Sequence, residues 1–328
     1  MNSVMIGFGA ALPKKCVLNS ELPAELDTSD EWITRRTGIK QRYIASKSET
    51  TASLAVKAGK EAIRDAKISP NDIDLVIVAT TTGDLTFPAT ATLVQRDLGI
   101  KQGAAFDVSA ACSGFVYALD IVDSYIKCGR FKCALVIGAE TFSRVVDWHD
   151  RSTCVLFGDG AGAVVVQAQN TDLGLQYCRI HSDGEFVEQL KTSGGISTTQ
   201  SVGFAQMEGR EVFRFAVEKF NESLQQLLAD NNLSIDDIDL IVPHQANSRI
   251  LEKISEDSDI SKEKVVVTVN KHANTSAASI PLALHEIKQD LITKKNVVLL
   301  SMGAGFTWGS ALIRFSSGNS SNKESGRL

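Results

Sequence analysis

The sequence predicts an α/β fold made of two similar halves, on three observations. Short apolar runs alternate with segments of helical period, the order in which strands and covering helices build a mainly parallel sheet. The second half repeats the first: SPNDIDLVIVATTTG, from Ser69, aligns with SIDDIDLIVPHQANS, from Ser234. Asp74 meets Asp239 at an offset of 165 residues (239 − 74), and Asp107 meets Asn270 at 163 (270 − 107). A chain of 328 residues, 43% hydrophobic and 22% charged, is large enough to bury the core that two such halves need. The expected division is a first half over 1–172, a second over 173–316, and a polar, disordered tail over 317–328.

The first strand, SVMIGFGAALP, has Gly7 and Gly9 but no third glycine, and Pro13 stands where a helix would start. A dinucleotide-binding turn is therefore rejected. In LDTSDEWITRRTGIKQRYIA, Thr28 or Ser29 caps a short helix on which Trp32 and Arg36, four apart, share a face. An aromatic plate beside a guanidinium suits a nucleotide base and its phosphates, and equally a packed tryptophan beside a solvated arginine. Helical period runs from about Thr50 to Ala66, followed by the strand IDLVIVATTT, a loop with Phe87 and Pro88, and a second helix. A strand over Gly103 to Val108, an apolar helix from near Ser113 to about Cys128 and the strand CALVIGAE come next. A loop with His149 and Arg151 then leads to LFGDGAGAVVVQA, a glycine turn feeding a strand.

Between about Asp183 and Gly203 the composition turns to Gly, Ser and Thr, as in a surface excursion. Phe213, Ala216, Val217, Phe220, Leu224, Leu227 and Leu228 then recur at helical spacing, which reads as a core face and not a cofactor box. IDLIVPHQAN, a helix with Arg249 and Lys253, the strand KVVVTVN, KHANTSAASIPLALHEI, the strand NVVLLSMGAGFTWG and SALIRFS complete the ordered part.

With 34 basic and 39 acidic residues the net charge is −5, so nothing draws the whole molecule to nucleic acid or an anionic membrane. An anionic partner must meet a local basic patch. No apolar run approaches the ~20 residues of a membrane span, and the N-terminus has no signal pattern, so a cytoplasmic protein is expected. The six cysteines lack paired short spacings, which points to free thiols over a disulfide framework or a zinc site.

The chemistry centres on FDVSAACSGFVYAL, Phe106 to Leu119. Ser109, Ala110, Ala111, Ser113 and Gly114 allow a sharp turn between strand and helix and leave space beside Cys112. A helix N-terminus would favour the thiolate. A cysteine here is equally a small buried hydrophobe. The duplication adds position: Asn274 lies near the matching turn of the second half, and His244 follows its strand at the position matching Ala79. Cysteine, histidine and asparagine thereby converge at the carboxyl ends of strands, where open α/β sheets place their sites.

In order and at these separations, DTSDEWITRRTGI, DVSAACSGF, FGDGAGA, PHQAN, HANTSAAS and GAGFTWG resemble the thiolase-fold condensing enzymes, most closely the β-ketoacyl-acyl carrier protein synthase III family. The resemblance covers nearly the whole chain. It implies a thiolase-like fold, two duplicated α/β halves stacked as αβαβα layers, and a homodimer. It implies Cys112 as the nucleophile that takes a short acyl group, such as acetyl, from acyl-coenzyme A. His244 and Asn274 then assist decarboxylation of malonyl-acyl carrier protein, and the backbone N–H groups of Cys112 and Gly305 form an oxyanion hole. Thr28, Trp32, Arg36, Arg151 and Asn247 are the implied coenzyme A contacts. Phe87, reaching over from the partner subunit, limits the acyl pocket. Arg214, Gln245, Arg249 and Lys253 are the implied carrier-protein contacts, although Glu256 and Asp257 stand on the same helix where basic residues can occur. No metal and no cofactor are implied, acyl-coenzyme A being a substrate.

Competing readings are a biosynthetic thiolase, which needs a second cysteine near the C-terminal glycine turn although none follows Cys178, and a related secondary-metabolite synthase. A cysteine hydrolase also uses Cys, His and Asn in this order, without the duplicated plan. A silent acyl-coenzyme A binding protein would not require all three side chains.

Overall fold

The computed structural model describes residues 1–316; the tail expected over 317–328 lies outside the described residues. Its strands are β1 (Asn2–Ala11), β2 (Lys15–Leu18), β3 (Gln41–Ile44), β4 (Leu75–Ala79), β5 (Ala104–Val108), β6 (Cys133–Glu140), β7 (Gly160–Gln169), β8 (Gly174–Ser182), β9 (Leu190–Thr192), β10 (Ala205–Met207), β11 (Leu240–Pro243), β12 (Val297–Gly303) and β13 (Thr307–Arg314). The helices are α1 (Asp30–Thr37), α2 (Thr51–Asp65), α3 (Thr90–Leu98), α4 (Gly114–Lys127), α5 (Gly209–Asp230), α6 (Ser248–Asp257), α7 (Val269–His272), α8 (Ser279–Glu286) and α9 (Lys288–Leu291).

Two sheets carry the fold, in the orders β1-β7-β6-β4-β5 and β8-β13-β12-β11. They share one plan. β4 and β6 are parallel, as are β11 and β12; β6–β7 and β7–β1 are antiparallel, as are β12–β13 and β13–β8. The sheets are therefore mixed, not mainly parallel as the alternation suggested. The cause is local: the chain returns from β6 to β7, and from β12 to β13, without a crossover helix, so each strand runs back beside its predecessor. The expected strand KVVVTVN is reduced to one bridge, Val265 to Ile241. The Gln245 carboxamide displaces the pairing, donating to Val266 O at 3.0 Å and accepting the amides of Thr268 and Val269 at 2.7 and 3.0 Å.

Helices α4 and α8 form the layer between the sheets, α2 and α3 cover the outer face of the first sheet, and α5 and α6 cover the second. Sheets on both sides demand a helix that is apolar nearly all round, and α4 buries Phe115, Val116, Ala118, Leu119, Val122 and Ile126. Truncating Leu119 to Ala would cost about 2–5 kcal/mol. The outer helices are one-sided and depend on caps: Thr50 Oγ1 accepts the Ser53 amide at 3.2 Å while Ser53 Oγ accepts the Thr50 amide at 2.9 Å, which starts α2. Gly138 on β6 lets the turn before α8 lie on the sheet, since a Cβ there would come within 2.1 Å of Ala277 O.

Candidate active site

Both central helices start at equivalent places. Each follows a short 3-10 turn, Ala111–Ser113 before α4 and Ser276–Ala278 before α8, and these turns touch. The first residue of each has a left-handed backbone, φ 45° at Ala111 and 50° at Ser276, unusual for residues with a Cβ. Their spacing of 165 (276 − 111) equals the Asp74–Asp239 offset of the sequence repeat and is two residues more than the Asp107–Asn270 offset. The duplication thus brings the two helix starts face to face, with Cys112 on one and Asn274 just ahead of the other.

Cys112 is buried, its Sγ 3.6 Å from Ser276 Oγ. Its turn is pinned by Ser113 Oγ donating to Thr307 O at 2.9 Å and Thr307 Oγ1 donating to Ala110 O at 3.1 Å. Gly303 lies against it: a Cβ at that position would stand 2.7 Å from the Cys112 nitrogen. A helix N-terminus alone would favour the thiolate. Burial dominates instead and pushes the Cys112 thiol up to about 12, the nearby Glu140 adding to the rise.

His244 is buried at the end of β11, and burial pushes its imidazole down to about 3. Its Nδ1 is 2.7 Å from Ser279 Oγ, which also accepts the Gln245 amide at 3.3 Å. When the Ser279 hydroxyl donates to Nδ1, the ring proton resides on Nε2. Asn274 is fixed by its backbone, which pairs with Leu156 O and the Gly158 amide, and by its Oδ1, which accepts the Ser276 amide at 2.9 Å. Its Nδ2 is left as the donor.

These three side chains line one cavity of about 1350 Å³ together with Gly305, Trp32, Arg36, Arg151, Asn247 and Arg249. The arginines are exposed, whereas Cys112, His244 and Asn274 are buried, so the cavity leads inward from a basic mouth. Two guanidiniums lie over the Trp32 ring, Arg36 at 4.8 Å and Arg151 at 5.5 Å from its centre. Arg151 is also held by Asp27, through its carbonyl at 2.7 Å and carboxylate at 3.2 Å. Asn247 caps α6 by accepting the Ile250 amide at 3.1 Å. Gly305 has φ 132°.

The remaining assignments fare differently. Ser29, not Thr28, caps α1, and Thr28 is not among the lining residues. Phe87 is 83% exposed and outside the cavity of its own chain. Gln245 is buried with its carboxamide committed to backbone groups, so it is a loop-forming residue and not a docking contact. Arg214 is paired with Glu211 at 2.6 Å, and Lys253 with Glu256 and Asp257 at 2.9 and 3.5 Å. Arg249 instead lies 5.6 Å over Phe213.

Two readings of α5 and of the Gly/Ser/Thr segment need correction. Phe213, Ala216 and Phe220, read as core alone, also line the cavity. The segment after Asp183 is not only surface: β9 and β10 pair as a hairpin whose Leu190, Thr192, Ala205 and Met207 wall the cavity. No local sequence pattern marks Ser276, Ser279 or Gly303. Glu140 did leave a trace, as the charged end of the otherwise apolar strand CALVIGAE.

A two-sheet α/β body with a buried thiol, a neutral imidazole and a carboxamide at the inner end of a basic-mouthed cavity defines a thiolase-like acyltransferase. Comparisons with known proteins narrow the class. Residues 106–184 match the model of 3-oxoacyl-[acyl-carrier-protein (ACP)] synthase III, and residues 228–315 match its C-terminal counterpart. The chain is 54% identical to the β-ketoacyl-[acyl-carrier-protein] synthase III of Rhizorhabdus wittichii, over 95% of this chain and 99% of that one. The crystal structure of 3-oxoacyl-[acyl-carrier-protein] synthase III from Aquifex aeolicus superposes with a TM-score of 0.90 at 47% identity, covering 95% of this chain and 99% of that one. The corresponding enzyme from Pseudomonas aeruginosa gives 0.90 at 40% identity, over 97% and 99%. The chain belongs to the β-ketoacyl-acyl carrier protein synthase III family.

Proposed function

We propose that the chain begins fatty acid synthesis by a two-step reaction on Cys112. The thiol takes a short acyl group, acetyl in the first instance, from acyl-coenzyme A as a thioester, and coenzyme A leaves. Malonyl-acyl carrier protein enters the emptied cavity and loses carbon dioxide, and its carbanion attacks the acyl-cysteine to give 3-oxoacyl-acyl carrier protein. The observation that carries this reading is the convergence of Cys112, His244 and Asn274 on one buried cavity end. Decarboxylation puts negative charge on the malonyl thioester oxygen. A neutral Nε2–H from His244 and the Asn274 amide, both already oriented, stabilise it; loss of one such donor costs ~3 kcal/mol. Attack then puts charge on the acyl oxygen, which the Cys112 and Gly305 amides receive.

Trp32, Arg36 and Arg151 suit the adenine and phosphates of coenzyme A, with Asn247 further along the cavity. A base between two plates needs two stacking separations of at least about 4.5 Å each, more than the 5.5 Å between Arg151 and Trp32. A base lying between them would require Arg151 to draw back. The carrier protein is acidic, and Arg249 at the mouth is the residue we assign to it first. A homodimer is supported by β5, an edge strand only half-buried along its length, and by the exposed Leu85 and Phe87 nearby in the chain. A thiolase reading lacks its second thiol: among the described residues Cys112 is the one cysteine lining the cavity.

The test is incubation with acetyl-coenzyme A followed by mass spectrometry. An acetyl group on the Cys112 peptide is expected. A label elsewhere, or none with a panel of short acyl donors, overturns the assignment.

A further inference from the structure

Strand β6 is buried and ends on a carboxyl, Glu140, with no exposed surface. Its partners are neutral: the Thr80, Thr81 and Thr82 hydroxyls, the Thr81 amide at 3.2 Å, and the Ser276 hydroxyl, which donates to Oε1 at 3.2 Å. A carboxyl buried among neutral donors is costly to keep ionised. Burial pushes Glu140 up to about 7, against an ordinary 4.5. On its other side, Ser276 Oγ accepts the Cys112 thiol at 3.6 Å. The thiol, hydroxyl and carboxyl thus form a continuous donor-to-acceptor chain leading away from the reacting sulfur. A different base is needed because His244, held near 3, is a weak one, while the thiol is held near 12.

We propose that Glu140, acting through the Ser276 hydroxyl, receives the Cys112 thiol proton when the cysteine is acylated and returns it when the cysteine is released. This rests on the reading of Cys112 as the acyl-accepting thiol. In loading, the S–H bond breaks and its proton moves to Ser276 Oγ while the Ser276 proton moves to Glu140 Oε1. The sulfur pair forms the new C–S bond to the acyl carbon. The C–S bond to coenzyme A breaks, and the departing thiolate takes a proton from water. In condensation, the malonyl carbanion forms the C–C bond, the acyl C–S bond leaves its electrons on Cys112, and the carboxyl proton returns through Ser276. The water-derived proton matches the negative charge lost with the malonyl carboxylate as carbon dioxide. Ser276 touches the reacting sulfur; Glu140 is a positioning and proton-holding residue behind it.

The groups around Glu140 keep this path separate. From the segment after β4 come Thr80, Thr81 and Thr82, and from the turn before α8 comes Ser276. On β7, Glu140 pairs with Gly160, next to Asp159. The Asp159 carboxylate already accepts the Ser143 hydroxyl and the Ala45 amide. Cys112 is the titratable group on the relay itself.

Single-turnover acetyl transfer to Cys112, followed by rapid quench and mass spectrometry on both sides of neutral pH, tests the proposal. Wild-type loading should rise with pH through the Glu140 titration near 7. Glu140→Gln should load about a hundredfold more slowly and lose that inflection, rising only as the thiol itself ionises. Glu140→Asp should keep the inflection at an intermediate rate, and Ser276→Ala should behave as Glu140→Gln does. Unchanged loading in folded Glu140→Gln, or slowing by one factor at every pH with the inflection intact, overturns the relay. If Glu140→Gln does not fold, Ser276→Ala decides alone by the same criterion. Failure of the wild type to label Cys112 at all instead removes the nucleophile assignment, a distinct result.

Discussion

His244 Nδ1 and Ser279 Oγ lie 2.7 Å apart, both buried, one at the end of β11 and the other at the start of α8. The serine oxygen takes the Gln245 amide, and when its proton goes to the ring the imidazole presents Nε2–H to the cavity. Ser279→Ala removes that constraint and frees the other tautomer, whose Nε2 repels an oxyanion. Malonyl decarboxylation should slow by about tenfold, the worth of one such hydrogen bond, while acetyl loading onto Cys112 stays unchanged. Radiolabelled carbon dioxide release and Cys112 labelling, measured on the same preparation, separate the two; equal losses in both would show that Ser279 serves the fold only.

The depressed His244 also links stability to pH. In the unfolded chain the imidazole takes a proton below about 6.5, whereas in the folded protein burial delays this to about 3. The unfolded state thus binds more protons across that window, and this contribution to stability is present above 6.5 and lost as pH falls towards 3. Glu140 works in the opposite sense: its raised value favours the folded state at low pH, and that advantage is lost as pH rises from about 4.5 to about 7. The two partly cancel, so the comparison must be differential. Between pH 6 and 5, urea unfolding of His244→Gln should improve relative to wild type by up to about 1.4 kcal/mol per pH unit. A constant difference between the two proteins would contradict a neutral buried imidazole.

Gly303, at the end of β12, packs the turn before β13 against the cysteine. An added Cβ would meet the Cys112 nitrogen at 2.7 Å, the Ser113 nitrogen at 3.0 Å and Ala110 O at 3.2 Å, all backbone atoms that cannot rotate away. Gly303→Ala should cost about 1–3 kcal/mol of stability and displace the turn carrying Cys112. Loading should fall more than coenzyme A binding, because the mouth residues Trp32 and Arg36 are on a separate helix. Calorimetry with a coenzyme A titration checks this; normal loading would show that the turn has room.

Much of this site was legible because the chain repeats itself. The repeat, at an offset of 163 to 165, predicted facing strand-to-helix turns, and Ala111 and Ser276, 165 apart, occupy equivalent positions in the two turns. Cys112, His244 and Asn274 could be placed together from that register and their chemistry alone. Strand direction was not legible, since an apolar run such as AGAVVVQA reads the same whichever way it pairs. The failure of KVVVTVN to form a strand depends on Gln245, a side chain about 20 residues earlier whose reach no local pattern contains. Ionisation states were equally hidden. A helix start suggested a thiolate at Cys112, and only the depth of burial, a tertiary property, reverses the sign.

The basic residues assigned to carrier-protein docking divide by what they already hold. Lys253 is occupied by Glu256 and Asp257 and Arg214 by Glu211, so binding an acidic partner there means first breaking an internal pair. Arg249 stacks on Phe213 at the cavity mouth, with its charge turned to no carboxylate in the ion pairs of the described residues. Arg249→Ala should therefore raise the KM for malonyl-acyl carrier protein by about tenfold and flatten its salt dependence, while Lys253→Ala changes it by about twofold or less. Removing the competing acids, as in Glu256→Gln with Asp257→Asn, should instead lower KM by freeing Lys253. Steady-state kinetics at two ionic strengths distinguish these effects, and equal losses at Arg249 and Lys253 would mean that the internal pairs yield to the partner without cost.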